Sequence, residues 1–177
     1  MKAEPCPPAY VAIAPPQRAD VRWQQESTMN LLEKLFRSKS PKLQKASGEF
    51  KTSGELIAEV TDGANLVEGQ QTWEVAEEKK HDLEAMKKCC DAELKTMATA
   101  DIVAAPYYFE RVAILSRKDK NYAQEIAYCE KYIQLVEAYY RKHGTTGIAD
   151  VRKGPRFQAI QKRLPKAKEL LARANAT

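Results

Sequence analysis

Four cysteines and two histidines are the side chains of this 177-residue sequence best suited to nucleophilic, metal or proton-transfer chemistry. Their spacing argues against all three. No two of Cys6, Cys89, Cys90 and Cys129 form a C-x-x-C pair, and neighbours such as Cys89 and Cys90 on a helix point about 100° apart, too far to chelate one metal well. His81 and His143 sit in polar stretches, where a surface or capping role is expected rather than general-base work. The carboxylates are interleaved with lysines, as in ion pairs on helix surfaces. The Gly144, Thr145, Thr146, Gly147 loop is too short for a phosphate cradle and lacks its Lys, and no H-E-x-x-H motif occurs. The chain is therefore expected to be non-enzymatic, with no metal and no cofactor. Its thiols are expected to be reduced and mostly buried in a cytoplasmic protein.

Charge offers a different handle. From Arg141 to Thr177 there are ten Lys or Arg against two acids, Asp150 and Glu169, so this stretch carries +8 and the rest carries −3 of the overall +5. Such asymmetry points to an acidic partner or to nucleic acid, or else to a solvated helix face. Arg152, Lys153, Arg156, Lys162, Arg163 and Lys166 are the candidates for contacts to phosphates or to an acidic partner. No apolar run approaches the ~18 residues that a membrane span needs.

The elements that position these groups read as helices, since Gly is scarce and strand-type alternation is weak. Residues 1–28 form a Pro-rich leader expected to be disordered, with Pro5, Pro7, Pro8, Pro15 and Pro16 blocking a helix. Whether they belong to the native chain or whether Met29 is its natural start stays open. Residues 29–54 read as a short amphipathic helix, with Leu31, Leu32, Leu35 and Phe36 on one face, followed by a linker. That opening is of a kind found in small bacterial or phage proteins, and its basic helix would dock on the core, on a partner or on an anionic membrane surface. The domain proper is expected over 55–177, with about five helices. Glu55–Val67 reads as a short helix. Thr72–Met97 reads as a strong helical stretch whose polar hexamer 77–82 is either a solvated turn or a corner, so one long helix and a hairpin both remain open. Pro106 suits a helix first turn, Tyr107–Lys118 and Tyr122–His143 follow as helices, and Gly144 suits a C-cap. A last basic helix opens at Pro155, with Pro165 predicting a kink or break.

Within this array, Pro106–Leu135 resembles a tetratricopeptide-type helical hairpin. Phe109, Val112 and Ala113 stand where the first helix of such a repeat carries its aromatic, aliphatic and small residues. Tyr122 stands at the aromatic that opens the second helix, and Ile126, Cys129 and Ile133 continue its buried stripe. The unit is degenerate: Lys120 replaces the usual corner Gly, Glu125 replaces a small residue, and no Pro follows Leu135. A weaker echo, offset by 39 residues, aligns Leu83 with Tyr122, Cys90 with Cys129 and Leu94 with Ile133.

The resemblance implies an all-α fold of hairpins that binds a partner peptide or helix in a groove lined by the first helix. In this chain those residues are Tyr107, Glu110, Ile114, Arg117 and Lys118. The expected activity is that of an adaptor or inhibitor with another protein as partner. Nucleic acid on the basic C-terminal helix is the alternative. The oligomeric state is open, although Tyr132, Tyr139 and Tyr140 on the long helix would cover a third helix or a second subunit.

Overall fold

The computed structural model, which describes residues 42–146 and 148–176, opens most of its helices at side-chain caps or first-turn prolines. Six α-helices occur among the described residues: α1 Ser53–Val60, α2 Thr72–Lys79, α3 Leu83–Ala100, α4 Pro106–Lys118, α5 Tyr122–His143 and α6 Pro155–Asn175. The fold is all-α, as expected. The leader 1–28, the Met29 helix and Cys6 lie outside the described residues.

Local chemistry explains most boundaries. Thr52 and Glu55 form a reciprocal capping box at α1. Asp82 accepts from the Ala85 amide at 3.0 Å and opens α3, and Asn121 accepts from the Gln124 amide at 3.1 Å and opens α5. Pro106 and Pro155 occupy first-turn positions, where a missing N–H costs nothing. Arg141, Lys142 and His143 fill the last turn of α5, at the negative end of the helix dipole.

Three expectations need correction or refinement. The helix expected over Glu55–Val67 ends at Val60, because Asp62 (φ 52°) and Gly63 (φ 76°) turn the chain left-handed. Leu66–Val67 (β1) then pairs antiparallel with Gln70–Gln71 (β2). Its two-residue turn has Glu68 at φ 54° and Gly69 at φ 85°, the positive pair that a type I′ hairpin demands. The stretch Thr72–Met97 is two helices, α2 and α3, with the polar hexamer at their corner. Pro165 lies inside a continuous α6 and does not divide it. Within the presumed linker, Gln44 bridges Phe50, and the Lys51 amide donates to the Leu43 carbonyl at 2.8 Å.

The core lies between α3, α4, α5 and α6. Met86, Cys89, Cys90, Phe109, Val112, Ala113, Cys129, Tyr132, Val136, Phe157 and Ile160 are all buried there. Phe109 packs on Tyr132 at 4.6 Å between ring centroids, and Tyr132 packs on Phe157 at 6.0 Å. The buried Tyr132 hydroxyl donates to the Ala104 carbonyl at 2.8 Å. Tyr140 donates to the Ala149 carbonyl at 2.6 Å and accepts from the Val151 amide at 2.9 Å, while Tyr139 donates to the Asp101 carbonyl at 3.1 Å. The three tyrosines thus tie α5 to loops of its own chain. No helix among the described residues is long and apolar enough to cross a membrane.

Candidate partner-binding face

The α4 side chains expected to line a groove meet three neighbouring elements. Tyr107, at the start of α4, borders a depression it shares with Trp73, Ala76 and Glu77 of α2, with Lys80 just past its end, and with Tyr108. On its other side the Arg156 guanidinium of α6 stacks over the Tyr107 ring, 4.6 Å from the centroid. Arg156 also pairs with Glu110 at 2.8 Å. Tyr107 thus stacks with α6 and borders one depression with α2.

Two and three turns further along α4, the character changes. Ile114 is half-buried. Arg117 donates from Nε to Glu125 Oε2 at 2.8 Å, and its Nη2 reaches the Arg163 carbonyl of α6 at 3.3 Å. Arg163 in turn donates to Glu125 Oε1 at 3.1 Å. Arg117 is thus an internal tie rather than a free contact, and Lys118 is exposed at the helix end. Tyr107, Glu110, Arg117, Arg156 and Arg163, predicted as two separate sites, form one α4–α6 seam.

The remaining bases are mostly engaged too. Arg152 pairs with Asp150 at 2.9 Å and Glu137 at 3.1 Å and stacks over Tyr140, 4.5 Å from the centroid. The hydrogen bonds and charge of Arg152 hold the Asp150 carboxyl below its ordinary range. Lys166 pairs with Glu169 at 2.9 Å. Lys153 and Lys162 are exposed.

Cys89, Cys90 and Cys129 are free and buried. Burial pushes Cys89 up to about 11 and Cys129 up to about 12, and raises Cys90 as well. His81 lies 3.3 Å from the Arg111 guanidinium, and His143 lies 3.0 Å from Asp101 Oδ1 and against the Tyr139 ring. No group of three or more His, Cys, Asp or Glu able to hold a metal occurs among the described residues.

Trp73 is the residue that sequence reasoning missed. It is 59% exposed on α2 and lines both the Tyr107 depression and a second cavity on its other side. An apolar residue two places before the buried Val75 and Ala76 pair, exposed on a short helix, was the available signal. Comparison with protein-family models, with curated proteins and with solved structures finds no match, so the geometry carries the functional reading.

Proposed function

We propose that this chain is a non-enzymatic protein-interaction module of tetratricopeptide-like type, which takes a partner peptide or helix along the face where α2, α4 and α6 meet. The observation that carries this reading is the placement of Tyr107 between the exposed Trp73 and the stacked Arg156. Aromatic side chains are prominent in interface energetics, and here Trp73, Tyr107 and Tyr108 border one depression with Glu77 and Lys80 beside them. Two further features support it. The helices α2 and α4 begin 34 residues apart, the length of a tetratricopeptide unit. The buried, protonated thiols suit a reducing, cytoplasmic setting.

The nucleic-acid alternative has less to stand on. Of its six bases, Arg152, Arg156, Arg163 and Lys166 are paired with carboxylates of the chain itself, which lowers the charge open to phosphates.

Selection from a displayed-peptide library on the immobilised protein tests the proposal. Enriched peptides should bind the native chain and lose at least tenfold in affinity against Trp73→Ala/Tyr107→Ala. Enrichment of nothing, or equal binding to the double variant, would overturn it. A salt-dependent gel shift of a short duplex, abolished by Lys153→Ala/Lys162→Ala, would favour the alternative instead.

A further inference from the structure

On the opposite side of Trp73 lies a cavity of about 450 Å³, walled by α1, the β1–β2 hairpin, α2, α3 and residues 102–103. Its size falls in the range of small-ligand sites. Its lining has a consistent chemistry. Glu55, Glu74 and Glu93 contribute carboxylates, and no Lys, Arg or His lines it. Trp73, Ile57, Ile102 and Val103 supply apolar walls.

Two of the acidic groups are already used. Glu55 is paired with Lys45 at 2.8 Å, and Glu74 accepts from the Gln71 amide at 2.8 Å. Glu93 differs. It accepts from the Thr72 hydroxyl at 3.2 Å and from the Ala105 amide at 2.9 Å, and no Lys or Arg pairs with it among the described residues. A carboxylate offers roughly four acceptor sites, so two donors leave it half satisfied. Burial holds its pKa above the ordinary glutamate value, as expected for a charge removed from water without a counter-ion.

A second observation is independent of charge. Asn65 lines the same cavity, is only 7% exposed, and its Oδ1 is the buried side-chain polar atom without a hydrogen-bond partner among the described residues. Its Nδ2 is held by the Gly54 carbonyl at 3.0 Å and Gln71 Oε1 at 2.9 Å, which fixes the amide so that the acceptor end is the one left over. That arrangement is built tightly: a Cβ on Gly54 would come within 2.8 Å of Gln71 Oε1, so this position takes only glycine without displacing Gln71. The cavity has a carboxylate without a counter-ion, no cation in its lining, and an aromatic wall.

We infer that this cavity is a binding site for a protonated primary amine, whose ammonium group would pair with Glu93 beside the buried Asn65 amide and lie against Trp73. An ammonium carries three donors and a positive charge, which answers the unpaired carboxylate and the absence of a cation from the lining. Its alkyl stem would lie along Ile57, Ile102 and Val103, and an indole is the best aromatic partner for a cation. This site goes beyond the partner-binding reading and does not depend on it. The same chemistry is offered by a free alkylamine, by a lysine side chain and by a peptide N-terminus.

The test uses the full chain with Trp23→Phe, which leaves Trp73 as the one indole, and follows Trp73 fluorescence and the side-chain amide NMR signals of Asn65 and Gln71. The probes are n-butylammonium, its neutral counterpart n-butanol, acetyl-Gly-Lys-Gly amide and Gly-Gly-Leu amide with a free N-terminus. Saturable changes with n-butylammonium and none with n-butanol are expected. The two peptides then tell whether a side-chain or terminal ammonium is preferred over the free amine. Glu93→Gln should weaken binding at least tenfold. Ile102→Lys, a change at an exposed position (42% accessible), should supply a tethered ammonium and abolish binding even if Glu93→Gln fails to fold. Equal responses to butanol and butylammonium, unchanged binding in folded Ile102→Lys, or no saturable response to any amine would overturn the inference.

Discussion

Arg117 grips Glu125 through both of its forked donors, Nε to Oε2 at 2.8 Å and Nη2 to Oε1 at 2.8 Å, while the Glu125 side chain is wholly buried. The contact joins the end of α4 to the start of α5. Arg163 of α6 shares Glu125 Oε1, so one carboxylate fastens three helices. A bidentate guanidinium is the pairing best able to offset the cost of burying a carboxylate.

Glu125→Ala should therefore be among the most damaging single changes in the chain. It removes the partner of two cations that remain about a quarter exposed and can partly turn to water, so the loss should be about 3 kcal/mol, the lower end for breaking a buried pair. Urea unfolding followed by circular dichroism measures it. Glu125→Gln should recover only part of the loss. A loss below about 1 kcal/mol for Glu125→Ala, the range of an exposed pair, would mean that the network does not hold the seam.

Stability against pH should show two opposed trends. Glu55 is pulled down to about 2 by its hydrogen bond to Lys45 and that of the Thr52 amide, so its contribution is complete above the ordinary value of 4.5 and fades as pH falls toward 2. Glu93 is shifted the other way by burial. Between 4.5 and its raised folded value, the folded chain holds more protons than the unfolded one. Stability must then fall as pH rises through that window and level off above it. Urea midpoints at intervals from pH 2 to 8 should show this decline in the native chain and its absence in Glu93→Gln, and an amine bound beside Glu93 should oppose the decline.

Thiol reactivity separates burial from exposure directly. The thiolate is the reactive form, and desolvation keeps Cys89, Cys90 and Cys129 protonated at neutral pH. In a Cys6→Ser variant, Ellman's reagent at pH 8 should label none of the three at rates comparable to a free thiol, and all three once urea unfolds the chain. Fast labelling of one thiol in the folded state would point to local opening of the α3–α5 layer.

Much of this organisation was legible because helices announce themselves locally. Asn121 and Gly144 bracket α5, and Pro106 and Lys118 bracket α4, so their bounds follow from caps and breakers close in sequence. Glu55–Val67 was misread because its apolar spacing fits a helix, whereas the outcome is decided by Asp62, Gly63, Glu68 and Gly69, all at positive φ. Glu125 looked like a departure from a repeat pattern, and its role depends on Arg163, 38 positions away, which no local period reveals. The same holds for the amine cavity, where Asn65 and Glu93 meet only after the β1–β2 hairpin has folded back.

The corner between α4 and α5 offers a test of backbone cost in which no buried contact changes. Lys120 is exposed and sits at φ 57°, a left-handed conformation that costs a side-chain-bearing residue about 1–2 kcal/mol. Glycine at that place relieves the strain but gives the unfolded chain more freedom, an opposing effect of about 0.5–1 kcal/mol. Lys120→Gly should therefore stabilise the chain by roughly 0.5–1 kcal/mol, the difference between the two. At the far end of α5 the argument reverses. Gly144 has φ 70° and ψ −164°, a region almost closed to other residues, with open space around its missing Cβ. Gly144→Ala should cost about 1–3 kcal/mol from backbone strain alone, since no clash accompanies it. Thermal unfolding of both variants checks the pair: a rise in Tm for Lys120→Gly with a fall for Gly144→Ala is the expected pattern, and two shifts of the same sign would contradict these backbone geometries.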